Sequence, residues 1–439
     1  MSKGFSIGLL TVVVIILVMV LTYACSAISN LSFYVTPISS SEIYIVPSRP
    51  VTVHVFATCV SGRYLIIVGY VGLVERHGII IMMDRYLDRI VRTWIDYNIS
   101  ELYDCVVVGR SIIVVGDVWL NASPHLVIYE FSNNLNLEKM SIDPSDSSMA
   151  FSVTFFKGYL YVSGEPNFLG LVEQRDVLSL SLVGSYTTDF SISDWKFGNL
   201  FTVFVDNATR TVWVGGYYLD FGDLYHSLLI GFREGDLFNV VVLDFPENSR
   251  YYIGTVYSAC SDERGDIYVA GSEGVLKLSS NGTVLQVNKK IHNCLKIICL
   301  KDKIYVFASP IIGKYHVQML YVLDNNLRIL YSKILNEYEP YDFMFGIGKA
   351  SYADGKIYVV GWGYIPTGSI ITLYEIPTKA RHGIECDFNN NGILDIGDVV
   401  LCLRYVIGSY MTNVRCDLNH NGITDIGDCV LLLEMLTGK

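Results

Sequence analysis

A strand-like phrase recurs seven times through the middle of the chain and constrains the fold more than any other feature. It reads RYLIIVG ending at Gly69, SIIVVG at Gly116, YLYVSG at Gly164 and TVWVGG at Gly216. It continues as DIYVAG at Gly271, KIYVFA at Ala308 and KIYVVG at Gly361, with spacings of 47, 48, 52, 55, 37 and 53 residues. One such unit cannot bury both of its faces alone. Repetition at this period, with several strands per unit, is the pattern of a β-propeller.

Each unit has room for four strands. The second splits into LYDCVVVG, SIIVVGDVW, HLVIYEF and LNLEKMSID. Turn residues punctuate the runs, among them Asp354-Gly355 and Asn281-Gly282. No helical periodicity interrupts residues 40–376. The last unit is one strand short. A strand-like SEIYIVP at residues 41–47 precedes the first complete unit. The expectation is therefore a seven-bladed propeller over residues 40–376. Its N-terminal strand completes the seventh blade, closing the ring and leaving no free sheet edge.

Residues 5–24, FSIGLLTVVVIILVMVLTYA, hold no charge over about one bilayer thickness. Lys3 precedes the run, and small residues follow at Ala24, Ser26 and Ala27. Residues 1–28 thus read as a hydrophobic helix, either a cleaved signal peptide or a retained membrane anchor, with a lipidated Cys25 as a third reading. All three send the rest of the chain out of the cytoplasm. Ten Cys suit an oxidising compartment. Sequons at Asn30, Asn98, Asn121, Asn207 and Asn281 suit a glycoprotein. The net charge of −11 argues against a nucleic-acid partner.

His77, His125, His226 and His316 share one place in the repeat, just before the third strand. They read either as a ring of ligands or a pH-sensitive face on one rim, or as a blade consensus in which His packs or hydrogen-bonds between blades. Cys59, Cys105 and Cys260 fall in first strands, as do Cys294 and Cys299, so inter-blade disulfides and buried thiols are both open. Asp220, Asp223 and Glu234 are the carboxylates a glycosidase could use. Tyr217, Tyr218, Tyr251, Tyr252 and Tyr364, read as loop residues, would suit a binding face, stacking on sugars or anchoring a protein. G-x-S-x-G, H-E-x-x-H, P-loop, dinucleotide and sialidase Asp-box motifs are absent.

The chain ends on a doubled sentence, CDFNNNGILDIGD from Cys386 and CDLNHNGITDIGD from Cys416. Each copy places oxygen-bearing residues at the alternate positions a calcium loop uses. The first offers Asp387, Asn389, Asn391, the Ile393 carbonyl, Asp395 and Asp398. The second offers Asp417, Asn419, Asn421, the Ile423 carbonyl, Asp425 and Asp428. Gly392 and Gly422 stand where the loop must turn. Apolar helices follow, closing at Gly408 and Gly438. Four Cys accompany the loops (386, 402, 416 and 429), and spacing leaves all three pairings open.

This loop-then-helix pair resembles the dockerin family, calcium modules that plug extracellular proteins into cohesin domains. The resemblance covers residues 385–439, after a linker at 377–384. It implies two Ca²⁺ ions, calcium-dependent folding and a cohesin-like partner. The chain departs from the family at loop positions 10 and 11. Family members often carry a Ser/Thr pair there; this chain has Ile396-Gly397 and Ile426-Gly427. These four residues are the expected partner contacts. The expected function is an exported, calcium-dependent assembly component. Its C-terminal module docks a cohesin-like protein, and its propeller presents a face to carbohydrate or protein. The alternative is a polysaccharide hydrolase or lyase tethered through the module.

Overall fold

The computed structural model describes residues 33–39, 42–48 and 51–378, less 73–74, 145–146, 167–168, 188–194, 221, 336–341, 347 and 366–367. Near the C-terminus it describes 386, 388, 396–407, 416, 418 and 423–437. The expected helix at 1–28, linker residues 379–384 and the expected ligands Asp387, Asn389, Asn391, Ile393, Asp395, Asp417, Asn419 and Asn421 lie outside the described residues. Two compact units result, residues 1–353 with 358–374, and 354–357 with 375–439.

The first unit is a seven-bladed β-propeller. Two N-terminal strands, β1 (Phe33–Ser39) and β2 (Glu42–Pro47), precede the first full blade. Blade 1 is β3 (Thr52–Ser61), β4 (Tyr64–Gly72), β5 (Arg76–Asp84) and β6 (Arg89–Ile95). Blade 2 is β7 (Ser100–Val108), β8 (Ser111–Leu120), β9 (Ser123–Ser132) and β10 (Leu137–Ile142). The innermost strands of blades 3 to 6 are β11 (Ser148–Phe156), β15 (Trp195–Asp206), β19 (Val256–Ser261) and β23 (Cys294–Leu300). Alternating Val, Ile and Leu fill the spaces between blades. Ile66, Val68, Ile80 and Leu102, for example, are fully buried in one cluster shared by blades 1 and 2. Each such side chain contributes roughly 1.5–3 kcal/mol.

Blade 7 closes the ring. Its own strands are β29 (Asp342–Phe345), β30 (Ser351–Ala353), β31 (Lys356–Ile365) and β32 (Gly368–Pro377). On the outer side β32 pairs with β2, with Ile45 opposite Ile371 and Ile43 opposite Leu373. The strand predicted to complete the last blade does so. Beyond it β1 adds a further strand, Val35 opposite Ile45, of which the repeat gave no sign.

The glycine of the repeat now has a physical reason. In six blades the innermost strand carries one extra residue where it faces the end of the repeat phrase, a glycine in five of them and Ala308 in blade 6. Val55 pairs with Gly69 and Ala57 with Val68, leaving Phe56 over. The same shift leaves Tyr103, Phe151, Phe201, Tyr257 and Leu295 over in blades 2 to 6. These are β-bulges. Each bends a carbonyl of the innermost strand onto the neighbouring strand. A Cβ on Gly69, Gly116, Gly164 or Gly216 would stand 2.0, 1.9, 1.9 or 1.8 Å from a backbone oxygen.

The second unit holds two helices, α1 (Ile396–Val406) and α2 (Ile426–Thr437). Disulfides join Cys386 to Cys416, at the two loop starts, and Cys402 to Cys429, helix to helix. The buried core uses equivalent positions of the two copies: Cys386 and Cys416, Val399 and Cys429, Cys402 and Leu432. The helices begin before the last expected ligand. Asp425 and Asp428 form a capping box: Gly427 N donates to Asp425 Oδ1 (2.7 Å) and Asp425 N to Asp428 Oδ2 (2.8 Å). The D-I-G-D run is thus also a helix start. Among the described residues no helix is long and apolar enough to cross a membrane.

Candidate functional site: an aromatic collar at the channel mouth

The bulges place their extra side chains at matching levels of the innermost strands, opposite the end of the repeat phrase. Five of the six are aromatic and follow one another from blade to blade. Ring centroids are 5.0 Å apart for Phe56–Tyr103, 5.3 Å for Tyr103–Phe151, 5.0 Å for Phe151–Phe201 and 5.7 Å for Phe201–Tyr257. The series runs outward over blade 1 through Tyr70 and His54 to Trp362 and Tyr364 of blade 7, and over blade 4 through Tyr217 and Tyr225. Phe56, Tyr103, Phe201 and Tyr257 remain partly exposed. Such rings offer wide apolar faces at little conformational cost.

One residue further along the strands lies a polar layer that staples the blades together. Val153 N donates to Asp104 Oδ2 (3.0 Å), Val203 N to Ser152 Oγ (3.3 Å) and Ile297 N to Ser258 Oγ (3.3 Å). Two lysines cross the same layer. Lys296, fully buried on blade 6, donates to the Phe56 and Gly348 carbonyls. Burial brings its amine down to about 7. Lys349 donates to the Val153 carbonyl and pairs with Asp104 at 3.2 Å.

Carboxyl groups gather behind the collar. Glu101 and Asp117 are direct cross-strand partners on blade 2. Arg76 donates to Glu101 Oε1, and the Tyr103 hydroxyl donates to Glu101 Oε2 at 3.0 Å. Asp117 is 1% exposed; its carboxyl has Tyr103 and Trp119 as hydrogen-bonding neighbours, while its Oδ1 atom makes no hydrogen bond. Burial, then the Glu101 charge, pushes Asp117 up to about 8. Glu165 on blade 3 is also raised, chiefly by burial, and bonds Asn199, whose buried Oδ1 is a second orphan acceptor. His54 is driven down to about 4 by burial and by Arg76.

The residues singled out in the sequence distribute as follows. His77 and His125 bond the carbonyls of Asp96 and Asp143, each within its own blade, and His316 bonds the Ser309 carbonyl. His226 lies between Asp244 Oδ1 (2.7 Å) and Asp220 Oδ2 (3.3 Å). Each of these bonds stays within one blade, rather than running between blades as the blade-consensus reading expected. No group of three His, Cys, Asp or Glu among the described residues is placed to hold a metal. Asp220 and Asp223 precede strand β17 (Tyr225–Arg233) and Glu234 follows it. The nine residues of β17 keep them roughly 30 Å apart, so they cannot share a substrate. Tyr217, Tyr218 and Tyr364 are strand residues rather than loop residues.

Cys260 and Cys299 form a disulfide between blades 5 and 6; Cys59, Cys105 and Cys294 are buried thiols. In the second unit Asp398 and Asp428 are fully buried at equivalent positions. Ile396 and Ile426 are 63% and 62% exposed, and Gly397 and Gly427 follow them into the first helical turn. The collar was missed in the sequence, although its signal was present. An aromatic or Leu stands 13 to 15 residues before each of the first six repeat ends.

No family model matches the sequence, and no curated protein matches it. Similar solved structures include BamB from Moraxella catarrhalis, at 10% identity and TM-score 0.43, covering 80% of this chain and 99% of that one. Sqt1 from Chaetomium thermophilum is similar at 12% identity and TM-score 0.46, covering 75% and 96%. The polysaccharide lyase Uly1 is similar at 10% identity and TM-score 0.48, covering 74% and 90%. Likeness at this level concerns the fold alone.

Proposed function

We propose that the chain is an exported, calcium-dependent assembly component. Its C-terminal module takes two Ca²⁺ ions and docks a cohesin-like protein, its propeller presents a recognition face, and its N-terminal segment carries it to the membrane or beyond. The observation that carries this reading is a pair of matched apolar stripes. On α1, Ile396, Val400 and Leu403, with Ile407 just after it, are exposed at helical spacing; on α2, Ile426, Val430 and Leu433 repeat it. Equivalent residues are exposed to the same degree, Val400 at 50% and Val430 at 49%. A small disulfide-pinned module gains nothing by leaving such stripes in water, whereas a docking helix pair needs them. Buried Asp398 and Asp428, in the first turns of the helices, fit a hard cation that wants carboxylate oxygen.

The test is calorimetry of the full chain in Ca²⁺ and in EGTA. A transition assigned to the module should rise with Ca²⁺ in the wild type and lose that response in Asp398→Ala with Asp428→Ala. A calcium-indifferent trace from wild-type protein refutes the reading. The polysaccharide-active reading draws on one observation, the Glu101–Asp117 pair with Asp117 held protonated near neutrality. Release of reducing or unsaturated ends from a polysaccharide by wild type but not by Asp117→Asn would favour it.

A further inference from the structure

We propose that the channel mouth on the collar rim is a binding site for neutral carbohydrate, with the collar rings as stacking platforms and Asp117 and Asn199 as the hydrogen-bonding groups behind them. The inference deepens the recognition role proposed above by giving it a place and a ligand class.

Three observations carry it. The first is the collar itself. Its rings come from bulges repeated over five successive blades, and each of these bulges costs a ladder position and faces a glycine on the next strand. A purely structural channel lining does not need partly exposed aromatics at four of the six bulges, Phe56, Tyr103, Phe201 and Tyr257. The second is unspent polar capacity. Asp117 Oδ1 and Asn199 Oδ1 are buried without partners, one behind Tyr103 and the other behind Phe201 and Tyr217. Orphan acceptors in a native fold call for an explanation, and a ligand hydroxyl supplies one.

The third is charge. A cationic ligand would meet Arg76 on the rim and Lys349 in the layer beside the collar. An anionic ligand would meet Glu101 and Glu165. The charges that are present are largely spent on one another, Arg76 on Glu101 and Lys349 on Asp104. His54 and Asp117 are both uncharged at neutral pH. What remains is a nearly neutral mouth of apolar ring faces with donors and acceptors at their backs. Sugar rings carry the same pairing, with apolar C–H faces and hydroxyl edges.

The experiment uses full-length protein, a panel of neutral glucose, mannose, galactose and xylose oligosaccharides, and matched uronate and amino-sugar oligomers. Binding is read by calorimetry at pH 6.5. The variants are Phe201→Ala and Tyr257→Ala in the collar, Asp117→Asn behind it, and Phe238→Ala, an exposed aromatic in the turn after β17. Near-UV circular dichroism checks the fold of each. The expected result is saturable binding of at least one neutral oligosaccharide. Each collar variant should weaken it tenfold or more, Asp117→Asn should weaken it measurably, and Phe238→Ala should leave it unchanged. Binding that prefers the charged oligomers overturns the inference, as does neutral binding indifferent to both collar variants, or none at all. If the folded Phe201→Ala protein binds as the wild type does, the collar assignment falls even where Tyr257→Ala is too unstable to read. A silent panel with an intact calcium response sinks this inference alone; a lost calcium response with sugar binding intact sinks the docking reading alone.

Discussion

The carbonyl oxygen of Glu101 stands 1.9 Å from the point a Cβ on Gly116 would occupy, and Leu102, the residue after Glu101, is the strand partner of Gly116. Both sides of that contact are backbone, so neither can swing away. Gly116→Ala should therefore cost on the order of 2–3 kcal/mol through overpacking. Gly184→Ala is the control. Its nearest neighbour is the Leu237 side chain at 3.5 Å, and the change should be neutral or slightly stabilising. Urea unfolding of the two variants beside the wild type separates the outcomes. Equal midpoints would mean that the bulge relaxes at no cost.

Lys296 makes a prediction about pH. Its folded value of about 7 lies below the 10.5 of a free lysine. Below pH 7 both states are protonated and the desolvation cost is fully present. Between pH 7 and 10.5 the unfolded chain holds a proton that the folded chain lacks, so stability rises with pH at up to about 1.4 kcal/mol per unit. In Lys296→Met that component of the slope should vanish, whatever the variant's absolute stability after the Phe56 and Gly348 carbonyls lose their donor. Denaturant titrations at pH 7, 8 and 9 give the slope. Parallel wild-type and variant lines would refute the assignment.

Asp117 predicts the opposite slope. Its folded value of about 8 lies above the 3.8 of an exposed aspartate. Between those limits the folded state holds a proton that the unfolded state has lost, so stability falls as pH rises. Asp117→Asn keeps the shape and stays neutral. The variant should gain on the wild type by roughly 1 kcal/mol or more per pH unit between pH 5 and 8, and the gain should level off above pH 8. A constant difference across that range would mean that Asp117 is ionised in the fold.

Much of this architecture was legible because the propeller repeats itself. The blade count, the four strands of blade 2 and the closure by β2 all follow from hydrophobic alternation and turn residues, which act locally. The collar depends on a register shift between β3 and β4, and on the same shift in five other blades. Register is a pairing property. The sequence shows Phe56 and Gly69 but not that Phe56 is the residue without a partner. The carboxylates illustrate the same limit. Asp220 and Glu234 look close in the chain, yet β17 holds them apart, while Glu101 and Asp117, sixteen positions apart, are opposite one another. In the module, D-I-G-D is expected from the sequence as the end of a calcium loop, and in the second copy the structure shows it starting a helix, which spacing alone does not reveal.

The thiols around the channel give the last prediction. Cys260 on β19 and Cys299 on β23 are bonded across blades 5 and 6, and the bond spans a sequence separation of 39 residues. Closing a loop of that length removes unfolded-state entropy equivalent to about 4 kcal/mol in the chain-entropy account. Cys260→Ser with Cys299→Ser should lower stability by up to that amount. Cys59 and Cys105 occupy comparable first strands of blades 1 and 2, but they are free and buried, and Cys105 is pushed well up by burial and by Cys59. They should resist iodoacetamide in the folded protein and label once the chain is unfolded. Mass spectrometry of tryptic peptides after labelling in buffer and in 6 M guanidinium reads both claims. Label at Cys59 or Cys105 in native buffer would contradict the burial, and label at Cys260 or Cys299 in unreduced denaturant would contradict the disulfide.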